Sequence, residues 1–271
     1  MTEQSLTGML LSALSLPTSC RVDQRVPKKM LVENGAPTSA DKHLINDTVE
    51  EIQWIAALKP NTVGVAEYRD DCRDYAEVAV LCITVRNAPQ GDGVGVARAG
   101  QHTRPVKITR LAELVHRAVP YPLLLLLAAP QGVHLSLAHK RWAQNEAGKV
   151  VLDGEPATVD MALDLTADHP FVHALALSRQ PQTSLLALYQ GWMNCLTALQ
   201  ASQYTGTFNE SETPDLVAAR RQTLRTCQRL EQEANRLRAL AAKEKQMARQ
   251  VDLNLALQRI STELASARKQ L

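Results

Sequence analysis

Residues 214–271 read PDLVAARRQTLRTCQRLEQEANRLRALAAKEKQMARQVDLNLALQRISTELASARKQL. After Pro214 the stretch holds neither proline nor glycine, and Ala, Leu, Gln, Glu, Lys and Arg dominate it, so it predicts helix. Pro214 suits a first helical turn, and Thr213 is the expected N-cap. Unbroken, such a helix would reach roughly 85 Å at about 1.5 Å per residue, too long to stand beside a domain of this mass uncovered. It must fold back as a hairpin, pair with a second copy or lie on a partner. Leu230, Leu237, Leu240, Met247, Val251, Leu257, Ile260 and Leu264 give it an imperfect seam of coiled-coil type. Val251, Leu253, Leu255 and Leu257 alternate, which at about 100° per residue puts them on two faces. Met247, Val251, Leu253, Leu255, Leu257, Ile260 and Leu264 are therefore the expected partner-binding residues, with self-association through this helix as one use of them.

The stretch is also basic. It carries 12 Lys and Arg against 6 Asp and Glu, a net +6, whereas residues 1–213 carry 18 against 22, a net −4. A basic helix can follow nucleic-acid phosphates, meet an acidic protein or simply be solvated. With 45% hydrophobic and 21% charged residues among 271, the whole chain has the balance of a folded protein rather than a disordered one. Five widely spaced cysteines without a C-x-x-C pair point to a reduced, cytoplasmic protein lacking a disulfide framework or zinc site. No basic residue precedes the apolar stretch Met9 to Leu14, so it lacks the charged start of a signal peptide. The run Leu123 to Ala129 is too short to span a bilayer as a helix, and no membrane role is expected.

Upstream of the helix the pattern is mixed. Thr38 or Ser39 can cap a helix whose apolar positions Leu44, Ile45, Val49, Ile52, Ile55, Ala56 and Leu58 recur at helical spacing. Thr62 to Val65 is a short strand candidate, and 77–86 reads as a buried strand. Ile108 to Val119 predicts a helix, stopped by Pro120-Tyr121-Pro122 before the strand Leu123 to Ala129. Val133 to Trp142, Val150 to Leu152 and Val159 to Leu165 are further strands. From Asp168 onward the character is helical, with Leu188, Trp192, Cys195, Leu196 and Leu199 at helical spacing. The expected fold is α+β: a mixed or antiparallel sheet with packed helices over 1–167, a helical segment over 168–206 packing on it, and the basic helical, coiled-coil-like extension over 207–271.

Chemistry is sparse. Gly91-x-Gly93-x-Gly95 lies in a glycine-rich loop over 87–105 but has neither G-x-G-x-x-G spacing nor a following Gly-Lys-Ser/Thr, so no cofactor is expected. His169 and His173 are four apart, yet Pro170 intervenes and no third ligand is specified. Asp70, Asp71, Asp74 and Glu77 form the carboxylate group that a metal-dependent nuclease or phosphate-transfer enzyme would need, although no E-x-K accompanies them. His134 and His139 fall on opposite faces of a regular strand, which separates them. Lys28, Lys29, Lys140 and Arg141 are the candidate contacts to DNA, RNA or a partner, in a nucleic-acid-binding reading.

Several segments resemble a bacterial domain-of-unknown-function family found beside helicase, restriction-like and DNA-methyltransferase genes. They are Arg25-Val26-Pro27-Lys28-Lys29, Ile52-x-Trp54 followed by Leu58-Lys59-Pro60-Asn61-Thr62, Glu77-Val78, Ala118-Val119-Pro120-Tyr121-Pro122 with Leu123 to Leu127, and Ala138-His139-Lys140. The most specific is 243–254, Lys-Glu-Lys-Gln-Met-Ala-Arg-Gln-Val-Asp-Leu-Asn. The resemblance implies a part in anti-phage defence or DNA modification beside helicase- or methyltransferase-type protein subunits, and it brings no catalytic residues. Together with the long helix it leads to the expectation of a non-catalytic accessory or scaffold subunit.

Overall fold

Leu123 to Ala129 carries no polar side chain, so a strand built from it must be covered on both faces. All seven residues are buried. The computed structural model describes residues 3–86, 107–130, 132–144, 146, 148–161, 165–210 and 213–271, and among these the chain forms two compact units, Met1–Met193 and Asn194–Leu271. The first unit begins with α1 (Glu3–Ala13), β1 (Arg21–Arg25), α2 (Lys28–Gly35), α3 (Ser39–Thr48), β2 (Val49–Leu58) and the single turn α4 (Pro60–Val63). There follow β3 (Tyr68–Arg69), β4 (Asp74–Tyr75), β5 (Val78–Val85), α5 (Ile108–Ala118), β6 (Leu123–Ala129), β7 (Gly132–Ala138), β8 (Lys140–Trp142), β9 (Val150–Leu152), β10 (Ala157–Met161) and α6 (Pro170–Ala174). α7 (Leu185–Thr205) crosses the boundary between the units, and α8 (Pro214–Ala241) and α9 (Met247–Arg268) complete the second.

The fold is α+β. Its main sheet has the order β1-β2-β5-β6-β7-β10, and every neighbouring pair is antiparallel except β5–β6. A parallel pair needs a crossover, and α5 lies in that connection. Leu123, Leu125 and Leu127 of β6 join a core with Leu111, Leu114 and Val115 of α5, Ile45 of α3 and Leu31 of α2. Alternation turns Leu124 and Leu126 to the other face, on the side where α1 meets β6 and β7. Gly35 permits the close approach of α2 to α5: a Cβ there would stand 2.5 Å from the Leu114 carbonyl oxygen and 2.8 Å from the Ala118 Cβ.

Two expectations fail locally. The helix expected to continue to Leu58 stops at Thr48, and Val49–Leu58 is a strand paired with β5. Register shifts between Val49 and Glu51 and between Trp54 and Ala56 mark bulges. The extra residue between Val49 and Glu51 stretches the two-residue period, so the inward positions Val49 and Ile52 fall three apart and imitate a helix. The strand expected at Thr62 to Val65 is instead α4, with Pro60 in its first turn and the Thr62 hydroxyl accepting from the Lys59 N–H at 2.9 Å. The strand expected from Val133 to Trp142 divides at His139: β7 stays in the main sheet, while β8 leaves it to pair with β9. The glycine-rich loop lies outside the described residues.

Of the three covers for the terminal helix, the structure uses the first. Arg268, near the end of α9, reaches Glu231 of α8 at 3.0 Å, so the chain doubles back. The reversal at 242–246 contains no glycine or proline. The Leu240 carbonyl accepts both the Lys243 and Glu244 N–H groups, and the Glu244 carboxylate accepts the N–H groups of Lys245 and Gln246 at 2.8 and 2.9 Å. These backbone donors hold the Glu244 carboxyl below its ordinary range. Glu244→Ala is expected to loosen the hairpin, read as an earlier urea midpoint of the second unit.

Candidate functional site

Lys140 is the first residue of β8 and only 3% exposed. Its side chain turns beneath the end of α5, where the ammonium donates to the carbonyls of His116 (2.6 Å) and Val119. Burial pushes the Lys140 ammonium down to about 7. Lys140 and the adjacent Arg141 line a cleft of about 610 Å³ with Arg117 and His116 from the last turn of α5, Lys149, and Gly35 from the end of α2. Two of the four sequence-derived cations, Lys140 and Arg141, thus come together here. Lys28 borders a different hollow with Arg25, Glu50 and Glu51, and Lys29 pairs with Glu33 at 3.5 Å. Arg117 and Lys149 complete the cleft from distant positions. A basic residue in a helix's last turn was the available signal for Arg117; nothing local marked Lys149.

His116 is fully buried. Its Nε2 meets the Ser136 Oγ at 3.0 Å, that oxygen meets Thr158 Oγ1 at 2.9 Å, and Nδ1 has no hydrogen-bond partner in the protein. Burial, and then the nearby Lys140 charge, push its imidazolium down to about 3, so the ring is neutral at pH 7. A histidine beside a serine suggests a base and nucleophile. Ser136, however, is fully buried and does not line the cleft, so the contact joins α5 to β7 and β10. On the other side of the strand break, the Tyr75 hydroxyl meets His139 Nδ1 at 2.6 Å and His139 Nε2 meets Gln190 Oε1 at 3.0 Å.

The acidic group does not converge. Asp70 accepts the N–H groups of Cys72 (2.8 Å) and Arg73 (2.6 Å) and the Tyr68 hydroxyl (2.7 Å), closing the β3–β4 turn. Asp74 pairs with Arg69 at 2.6 Å and Glu77 with Lys59 at 3.0 Å, while Asp71 is exposed. Among the described residues no three His, Cys, Asp or Glu side chains gather as a metal-holding group. His169 accepts the Phe171 N–H at 3.1 Å at the start of α6, and His173 is exposed on that helix. His134 lies 3.5 Å from Asp160 and is separate from His139, whose partners are Tyr75 and Gln190.

The alternating apolar residues of α9 divide as their spacing requires. Leu253, Leu257, Ile260 and Leu264 are half-buried and Ala267 is buried, at steps of three and four, while α8 buries Leu224, Cys227, Leu230, Ala234, Leu237 and Ala241. Met247, Val251 and Leu255, each four residues from the next, are 78%, 52% and 50% exposed, and Leu240 before the turn is 45% exposed. Leu240, Met247 and Val251 are therefore outside the seam in which the sequence placed them. Leu240, Lys243, Arg249 and Leu253 share a hollow at the turn.

Among the described residues, no helix is long and apolar enough to cross a membrane. Comparison with curated proteins and with solved structures finds no match. The family model described as Domain of unknown function (DUF4391) matches residues 14–264, which include the sheet, the cleft and nearly all of the helical hairpin. The chain belongs to the DUF4391 family.

Proposed function

We propose that the chain is a non-catalytic accessory subunit that docks a protein partner on the turn end of the α8–α9 hairpin, within a helicase- or methyltransferase-associated assembly for DNA modification or phage defence. The observation carrying this reading is the exposed stripe Met247, Val251 and Leu255 with Leu240 nearby, on a hairpin whose seam is already filled from the opposite side of α9. Lys243, Lys245 and Arg249 flank it together with Glu244 and Asp252, so the complementary surface is apolar with an edge that carries both signs of charge. The three-and-four spacing of the buried positions supports a coiled-coil-like hairpin as the rigid support. The resemblance in gene company supports the type of assembly, and its cytoplasmic setting follows from that reading.

The test is co-expression with helicase- and methyltransferase-type proteins of the kind the resemblance implies. Val251→Asp with Leu255→Asp should weaken capture by roughly thirtyfold or more, as the loss of central apolar anchors does, while leaving the chain's own melting point nearly unchanged. Leu253→Asp with Leu257→Asp should instead loosen the hairpin. Undiminished capture by the outer pair of substitutions would rule the docking surface out.

A further inference from the structure

The cleft beside α5 stands on residues separate from the hairpin. Four cations line it, Arg117, Lys140, Arg141 and Lys149, against the single carboxylate Glu33. Their counter-charges are not among the lining residues. Glu113 holds Arg117 at 2.6 Å and Glu146 holds Lys149 at 2.6 Å, while Asp153 pairs with Arg73 at 2.6 Å and is 3.9 Å from Arg141. Lys140 has three donors and gives two to carbonyls, which leaves one for a ligand. Val150, Val151 and Leu152, with Pro37, supply apolar wall. The volume of about 610 Å³ falls within the range of small-molecule sites.

We infer that this cleft binds a phosphate ester of mononucleotide size, as a free nucleotide or as one unit of a nucleic-acid strand. Arg117, Arg141 and Lys149 hold the phosphate, whose several oxygens can use more donors than a lone carboxylate can. The apolar part of the ester lies along Val150 to Leu152.

Calorimetric titration of the full chain with inorganic phosphate, AMP, CMP and a short single-stranded DNA tests this, with Arg141→Gln combined with Lys149→Gln as the variant. Both positions are partly exposed and outside the helix-capping contacts, so the variant's melting point should match the parent's. AMP, CMP or the DNA should bind more tightly than phosphate, weaken as salt rises, and lose roughly tenfold or more in affinity in the variant. Mononucleotide binding tighter than that of DNA identifies a free nucleotide; tighter DNA binding that is still lost in the variant identifies a strand. Absence of binding by all three organic probes, phosphate binding as tight as theirs, or undiminished affinity in the variant would overturn the inference. None of these outcomes bears on docking at Val251 and Leu255, which is read from partner capture.

Discussion

Acidification should unfold the α+β unit through a window set largely by one imidazole. His116 titrates at 6.5 in an open chain but only at about 3 when folded, because burial and the Lys140 charge disfavour its cation. As pH falls below 6.5 the unfolded state takes up a proton that the folded state refuses, so stability present at neutral pH drains away towards pH 3. Completed, the loss amounts to roughly 4–5 kcal/mol, comparable to the whole stability of many domains. His134, whose cation is also disfavoured by burial and partly favoured by Asp160, acts in the same direction. Asp41 acts lower: hydrogen bonds from Arg110 and then Thr38 hold its carboxyl down to about 2, so its contribution is lost only as pH falls from 3.8 towards that value. Urea melts across this range should show a slope that His116→Gln flattens and His134→Gln changes less. An identical slope in the His116 variant would remove the imidazole from the account.

Tyr189→Phe should cost roughly 2–4 kcal/mol although it removes a single oxygen. The hydroxyl accepts the Ala138 N–H at 2.8 Å, and its proton faces the carbonyls of Leu123 (2.9 Å) and Ala138 (3.0 Å). Leu123 and Ala138 are register partners at one end of β6 and β7, so the phenol closes that end of the pair. Phenylalanine keeps the ring contacts with Tyr75 and His139 but leaves a buried N–H and carbonyl without a partner. Chemical denaturation should report the loss in the midpoint with little change in slope. A variant within about 0.5 kcal/mol of the parent would mean that water or a neighbour replaces the hydroxyl.

The parts legible in the sequence are those whose pattern is local. Leu123 to Ala129 and Val78 to Val85 have apolar runs that only a covered strand explains, and α5 shows its buried face through Leu111, Leu114 and Val115. β2 was misread because its bulges are made by pairing with β5, which no local window contains. The hairpin was one of three arrangements open to the terminal segment, and the two faces of α9 were legible from alternation, but the break at 242–246 had no glycine or proline to announce it. The cleft was half legible. Lys140 and Arg141 stand out together, whereas Arg117 and Lys149 join them only because β8 leaves the main sheet and pairs with β9 against the end of α5. His116 carried no signal in the sequence, and its chemistry comes from complete burial.

The connector at 242–246 is made of Ala, Lys, Glu, Lys and Gln, none of which opposes helix strongly. Closure of the hairpin is therefore a competition between copies of the same surface. α9 of one molecule can meet its own α8 or that of a neighbour through identical side chains, and the two outcomes differ in connector shape and in the concentration each helix experiences. A short tether supplies an effective concentration of about millimolar order. Below that level the chain is expected to close on itself, and above it exchange of α9 between two chains is the assembly expected to compete.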